Sequence, residues 1–221
     1  VCKGEPTVDS VDAAAAVARN FLPELIIGFG GGSAMDTAKA VAALCTNEGS
    51  ILNYLELPQY NKKLNYAPLK WYAVPTTSGT GSESTKNAVI SGEKFKKSIR
   101  DDRLIADYII LDPDLMTSTP LENTVISGVD CICQLTESYL SVNSNFITDI
   151  LSLEGLKLAK NLNKIIKYPE NINLRNDMAL AATFSGITLA NAGLCAVHGI
   201  ANLFSEEFKI IHGVACGVLL P

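Results

Sequence analysis

The chain has only two histidines, His198 and His212, and each lies in an apolar context followed by glycine: "AVHGIAN" and "IIHGVACG". A lone histidine on an apolar face is ordinarily a core residue held by one hydrogen bond. Two sparing uses in matching contexts point instead to a shared task, and metal ligation fits imidazole in such surroundings. The partners to seek are oxygen donors on another helix. "SGVDCICQLTESYLS" supplies Asp130 and Gln134 at i and i+4, on one helical face. The charge of Asp130 within "GVDCIC" is costly unless it is paired or ligated. Asp130, Gln134, His198 and His212 thus form a nitrogen and oxygen donor set suited to a divalent cation, iron and zinc alike. Gln134, a neutral amide, is its weak member. Cys133, one residue earlier, is the alternative as a thiolate.

A second kind of chemistry is suggested by "IIGFGGGSAMDTAKAVAAL", where an apolar strand runs through glycines into a helix. Ser33 is the expected N-cap, with Asp36 three residues on in the manner of a capping box. Free N–H groups at a helix N-terminus attract phosphate, so Gly31, Gly32 and Ser33, with Asp36 close by, form a candidate pyrophosphate cradle. The third glycine of the usual dinucleotide fingerprint is missing, which leaves a plain strand-to-helix turn as the alternative. A second loop, "PTTSGTGSES", offers the hydroxyls of Thr76, Thr77 and Thr80, with Gly79 and Gly81 to let a ligand approach the backbone. Both loops follow expected strands, and open α/β sheets bind ligands at strand carboxyl ends.

The elements that must position these residues change character along the chain. Residues 8 to 22 read as a helix, 24 to 29 as a strand, and 33 to 45 as a helix. Residues 70 to 74, "KNAVISG" and "ADYIILDP" read as further strands, so the first part is α/β. From Leu121 on, apolar residues recur at helical spacing, over 125–140, 147–167 and 174–192, and an all-helical part is expected. The boundary is placed at "TSTP".

Totals constrain the partners. Of 221 residues, 48% are hydrophobic and 19% charged, the pattern of a folded chain, and the net charge of −5 disfavours nucleic acid. No apolar run is long enough to span a membrane, so no membrane partner is expected. Six cysteines have no regular framework, most of them read as buried thiols of a reducing compartment, and a cytoplasmic location is expected. The chain starts at Val1 and stops at Pro221 straight after an apolar run, so both ends are expected to be cut.

Taken together, "GGGSAMDTAKA", "VPTTSGTGSE", "LDPDLMTSTP", "SGVDCICQLTESYLS", "GLCAVHGIANLF" and "IHGVACGVLLP" resemble the iron-containing (group III) alcohol dehydrogenase family, in order and spacing over nearly the whole chain. The resemblance implies the dehydroquinate synthase-like architecture: a partial Rossmann-like NAD(P)-binding domain over 1–118, then a partial helical metal and substrate domain over 119–221. Substrate would lie in the cleft between them. It implies hydride transfer between NAD or NADP and a small alcohol or aldehyde, with Fe2+ or Zn2+ polarising the substrate oxygen. By position, Gly31, Gly32 and Ser33 would hold the pyrophosphate, and Thr76, Thr77, Thr80 and Thr85 would line the nicotinamide side. Asn87 and Lys96 would reach ribose or phosphate, Met116 would lie near the adenosine, and the metal positions would fall on Asp130, Gln134, His198 and His212. A homodimer or larger homo-oligomer is also implied. Two residues depart from the family pattern: Gln134 stands where a histidine ligand is usual, and Asn202 where many members carry a proton-relaying histidine. These departures keep two alternatives open: a metal-independent reductase resembling maleylacetate reductases, or a non-catalytic nucleotide-binding protein. No general acid or base is assigned.

Overall fold

The computed structural model describes residues 4–93 and 95–220, so Cys2 and Pro221 of the sequence argument lie outside the described residues. Packing divides the chain into two units that interleave in sequence: Val1–Pro75 with Thr85–Ile110, and Thr76–Ser84 with Leu111–Pro221. The single boundary expected near 118 is therefore replaced by an exchange, in which the loop 76–84 belongs to the helical unit.

The first unit opens with helix α1 (Val8–Phe21), started by a capping box between Thr7 and Ser10. Strand β1 (Ile26–Gly30) leads into helix α2 (Gly32–Thr46), and strands β2 (Trp71–Pro75) and β5 (Tyr108–Ile109) complete a parallel sheet in the order β1-β2-β5. Strands β3 (Asn87–Gly92) and β4 (Phe95–Arg100) form an antiparallel hairpin of their own. β4 was not expected, because "FKKSIR" offers too little alternation to read as a strand; its pairing with β3 orders it. Met35, Ala38 and Ala42 of α2 pack on Trp71 and Ala73 of β2. The Trp71 indole N–H donates to the Leu104 carbonyl at 3.0 Å. Gly28 shows how closely α2 sits on the sheet, since a Cβ there would lie 2.9 Å from that of Ala38.

The second unit is helical: α3 (Leu121–Leu140), α4 (Phe146–Ala159), α5 (Leu162–Lys167), α6 (Ile172–Ala192), α7 (Ala196–Phe208) and α8 (His212–Leu219). The helix expected over 147–167 is broken at Lys160 and Asn161, with Asn161 donating to Asp177 of α6 at 2.9 Å. Cys131 and Leu135 of α3 join Ala159, Ile165, Met178 and Ala182 in its main core. Among the described residues, no single helix is long and apolar enough to cross a membrane.

Candidate metal centre and nucleotide loops

Three helices bring Asp130, His198 and His212 together. Asp130 lies in the middle of α3 and is 3% exposed. Its Oδ1 lies 3.4 Å from His198 Nε2 and 3.6 Å from His212 Nε2. Asp130 Oδ1 and His198 Nε2 are buried and make no hydrogen bond among the described residues. Buried polar atoms are normally satisfied, so this pairing of an anionic oxygen with ring nitrogens fits a cation that all of them would hold.

Glu137, which sequence reasoning passed over, explains how His198 is aimed. It lies two turns after Asp130 on α3 and is 3% exposed. No side chain of α7's own N-cap, Cys195, caps that helix; the Glu137 carboxylate accepts the Val197 N–H at 2.8 Å and the His198 N–H at 3.1 Å. The same carboxylate pairs with His198 Nδ1. Nδ1 is thereby turned to Glu137 and Nε2 to Asp130, the second-sphere arrangement that orients metal-binding histidines. Burial alone would lower the His198 pKa; Asp130, Cys133 and Glu137 more than offset it and push it up to about 10. A bound cation would therefore displace a proton. The detectable signal for Glu137 was its i+7 spacing from Asp130, on the helix face that also carries Gln134.

Gln134 departs from the ligand role expected of it. Its amide NH2 donates to Asp130 Oδ2 at 3.3 Å, and its carbonyl accepts the Ser185 hydroxyl at 3.2 Å. The i, i+4 spacing that placed it beside Asp130 also brings its amide to that carboxylate. Cys133, the alternative donor, faces the other side of His198, 3.8 Å from Nδ1. Cys216 joins instead: Asp130, His198, His212 and Cys216 offer ligand atoms all within 4.8 Å of one another. Of the five described cysteines, Cys131, Cys133 and Cys216 are buried, in keeping with the expectation for most of them, while Cys195 is exposed and Cys45 half-buried. Hydrogen bonding from Cys216 pulls the Cys133 thiol down to about 6, and the same contact raises Cys216.

The glycine turn is built differently from the expectation. The N-cap of α2 is Gly31, in extended conformation, and not Ser33, whose carbonyl instead accepts the Thr37 hydroxyl at 2.8 Å. No side chain caps the helix, so Gly31, Gly32 and Ser33 lie where backbone N–H groups end a helix without a side-chain acceptor. Gly30 has φ +145°, a conformation reserved for glycine, and a Cβ there would lie 2.8 Å from that of Ala34. Asp36 is drawn from the helix mouth: it accepts the Val89 N–H at 2.9 Å and lies 3.9 Å from Lys39 Nζ. The fully buried Lys39 donates to Thr85 Oγ1 and to the Asn87 carbonyl, both at 2.8 Å. Lys39 thus ties the segment carrying Thr85 and Asn87 to α2. Asn87 Oδ1 is buried and makes no hydrogen bond among the described residues.

Other residues named from the sequence fall elsewhere. Lys96, on β4, is paired with Glu5. Met116 is buried in the helical unit, its sulfur accepting the Ser78 hydroxyl at 3.0 Å. In the loop 76–84, the Thr76 carbonyl accepts the Thr119 hydroxyl, and Thr80 Oγ1 accepts the Ser82 N–H; Thr77 is half-buried. Gly79 and Gly81, expected to admit a ligand, admit helices. A Cβ on Gly79 would lie 2.4 Å from that of Ser127, and one on Gly81, at φ +61°, 2.4 Å from the Ala182 carbonyl oxygen.

Comparison with known proteins finds relatives over nearly the whole chain. The family described as iron-containing alcohol dehydrogenase matches residues 1–113, and the C-terminal part of the Fe-containing alcohol dehydrogenase family matches residues 124–221. The chain is 38% identical over 98% of its length to long-chain-alcohol dehydrogenase 1 of Geobacillus thermodenitrificans, covering 55% of that protein. It is 36% identical to alcohol dehydrogenase 4 of Saccharomyces cerevisiae, covering 98% of this chain and 56% of that one. The crystal structure of sulfoacetaldehyde reductase from Bifidobacterium kashiwanohense in complex with NAD+ superposes with a TM-score of 0.92 at 32% identity, over 98% of this chain and 57% of that one. The chain thus spans about half the length of the relatives it matches.

Proposed function

The chain belongs to the iron-containing alcohol dehydrogenase family, and on that premise we propose that it acts as an NAD(P)-dependent oxidoreductase of small alcohols or aldehydes with a divalent metal. The observation that carries this reading is the convergence of Asp130, His198 and His212, with Asp130 Oδ1 and His198 Nε2 buried and without hydrogen bonds among the described residues. When bound, the metal polarises the substrate oxygen, and the nicotinamide accepts or returns the hydride. Asp130 supplies the anionic donor. Glu137 keeps the His198 proton on Nδ1, which leaves Nε2 free to ligate. Asn202 has no proton to exchange at neutral pH, so the substrate proton leaves by a route other than that position. At the other ligand, the backbone N–H groups at Gly31, Gly32 and Ser33 receive the pyrophosphate, and Asn87 Oδ1 accepts a donor such as a ribose hydroxyl. Asp36 does not repel the phosphates, because its charge is turned to the Val89 N–H and Lys39.

The test is elemental analysis of the complete gene product, purified anaerobically after exposure to Fe2+ or Zn2+, beside His198→Ala. NADH formation from small alcohols is assayed on the same samples. Near-stoichiometric metal, lost in the variant together with turnover, is the expected result. An absence of metal from both proteins, with alcohol oxidation intact, would replace this reading with metal-free reduction.

A further inference from the structure

Cys216 lies on α8, one helical turn after His212, so the two side chains share a face. The α8 backbone is pressed against α3 by glycines: a Cβ on Gly213 would lie 2.5 Å from the Ile126 carbonyl oxygen, and one on Gly217 2.6 Å from Val129 Cγ1. That close packing delivers His212 and Cys216 to the Asp130 carboxylate. Among the four donors, Asp130 Oδ1 lies 3.4 Å from His198 Nε2 and 3.6 Å from His212 Nε2, and His212 Nε2 lies 3.5 Å from Cys216 Sγ. A tetrahedron with metal bonds of about 2.0 to 2.3 Å has edges of roughly 3.3 to 3.8 Å. Those three distances fall in that range, and all four donor atoms lie within 4.8 Å of one another.

We propose that Cys216, as a thiolate, is the fourth metal ligand of this chain and takes the part that the Gln134 amide does not. The assignment rests on the metal reading given above and adds the identity and softness of the site. Gln134 is committed to Asp130 Oδ2 and Ser185. Cys133 approaches His198 at Nδ1, the nitrogen paired with Glu137, and so lies on the wrong side of the ring. A sulfur donor among nitrogens and an oxygen also shifts the preference from iron toward zinc. Binding releases the thiol proton to solvent, with no change of oxidation state.

Cobalt substitution reads the sulfur directly. The complete gene product is loaded anaerobically with Co2+ and its absorption recorded: visible d–d bands report an occupied site, and a near-ultraviolet thiolate-to-cobalt band reports sulfur coordination. Wild type and Gln134→Ala are expected to show both. Cys216→Ser is expected to lose the charge-transfer band and to bind Zn2+ at least about tenfold more weakly in competition with a chromogenic chelator, whereas Cys133→Ser keeps the band. Occupied wild-type protein without the charge-transfer band would overturn the assignment even if Cys216→Ser fails to fold. So would a band that survives in Cys216→Ser. A protein that takes up no cobalt would overturn the metal reading itself, and the sulfur ligand with it.

Discussion

At the residue scale, the proposed centre rests on Glu137, which would orient a ligand and not bind the metal. Glu137 caps α7 and pairs with His198 Nδ1 through one carboxylate. Replacing it by glutamine keeps the volume but removes the charge, and sets an amide that can donate against a ring nitrogen that also donates. Glu137→Gln is expected to weaken Zn2+ binding about 10- to 100-fold, measured by chelator competition, with helical content retained. Unchanged affinity would mean that Glu137 is only a helix cap. Lys39 plays a similar hidden part in the first unit. Its buried ammonium fixes Thr85 and the Asn87 backbone, while Asn87 Oδ1 makes no hydrogen bond among the described residues.

At the scale of elements, glycines decide how closely helices approach, and two that look alike in sequence differ. His198 and His212 are each followed by glycine, yet Gly213 faces the Ile126 backbone while a Cβ on Gly199 would meet nothing within 4 Å. Gly213→Ala is expected to cost about 1 to 3 kcal/mol through overpacking and to lower metal affinity by pushing α8 away from α3. Gly199→Ala is expected to be neutral or to stabilise α7 by up to about 1 kcal/mol through helix propensity. Denaturant unfolding of both variants with and without Zn2+ checks the pair. Equal effects would show that the approach of α8 is not set by Gly213. Glycines of the loop 76–84 obey the same rule, since Gly81 and Gly186 meet backbone to backbone: a Cβ on Gly186 would lie 2.1 Å from the Gly81 carbonyl oxygen.

At the scale of the molecule, the metal donors all lie in the unit formed by Thr76–Ser84 and Leu111–Pro221, while the glycine turn lies in the other. Ligand binding stabilises what it binds, by about 2.7 kcal/mol at a hundredfold excess over Kd. Zinc is therefore expected to slow native-state amide exchange in α3, α7 and α8 and to leave β1 and β2 unchanged. Equal protection of the sheet, or none in the helices, would contradict a centre confined to the helical unit.

Much of this was legible in the sequence. Periodicity identified the parallel strands and the helices, because apolar spacing is a local property, and the rarity of histidine singled out His198 and His212. Asp130 stood out as a charge in an apolar segment. What the sequence alone did not decide was which neighbour each polar atom would choose. Ser33 had the right chemistry for an N-cap, yet the helix starts one residue after Gly31 and leaves it inside. Gln134 shared a face with Asp130, and for that reason bonds to it. Cys216 looked like one more core thiol until α8 settled on α3 through Gly213 and Gly217 and carried the sulfur, with His212, to Asp130. Helical register fixes which residues share a face; only close packing between helices fixes which faces meet, and the donor set is a property of that meeting.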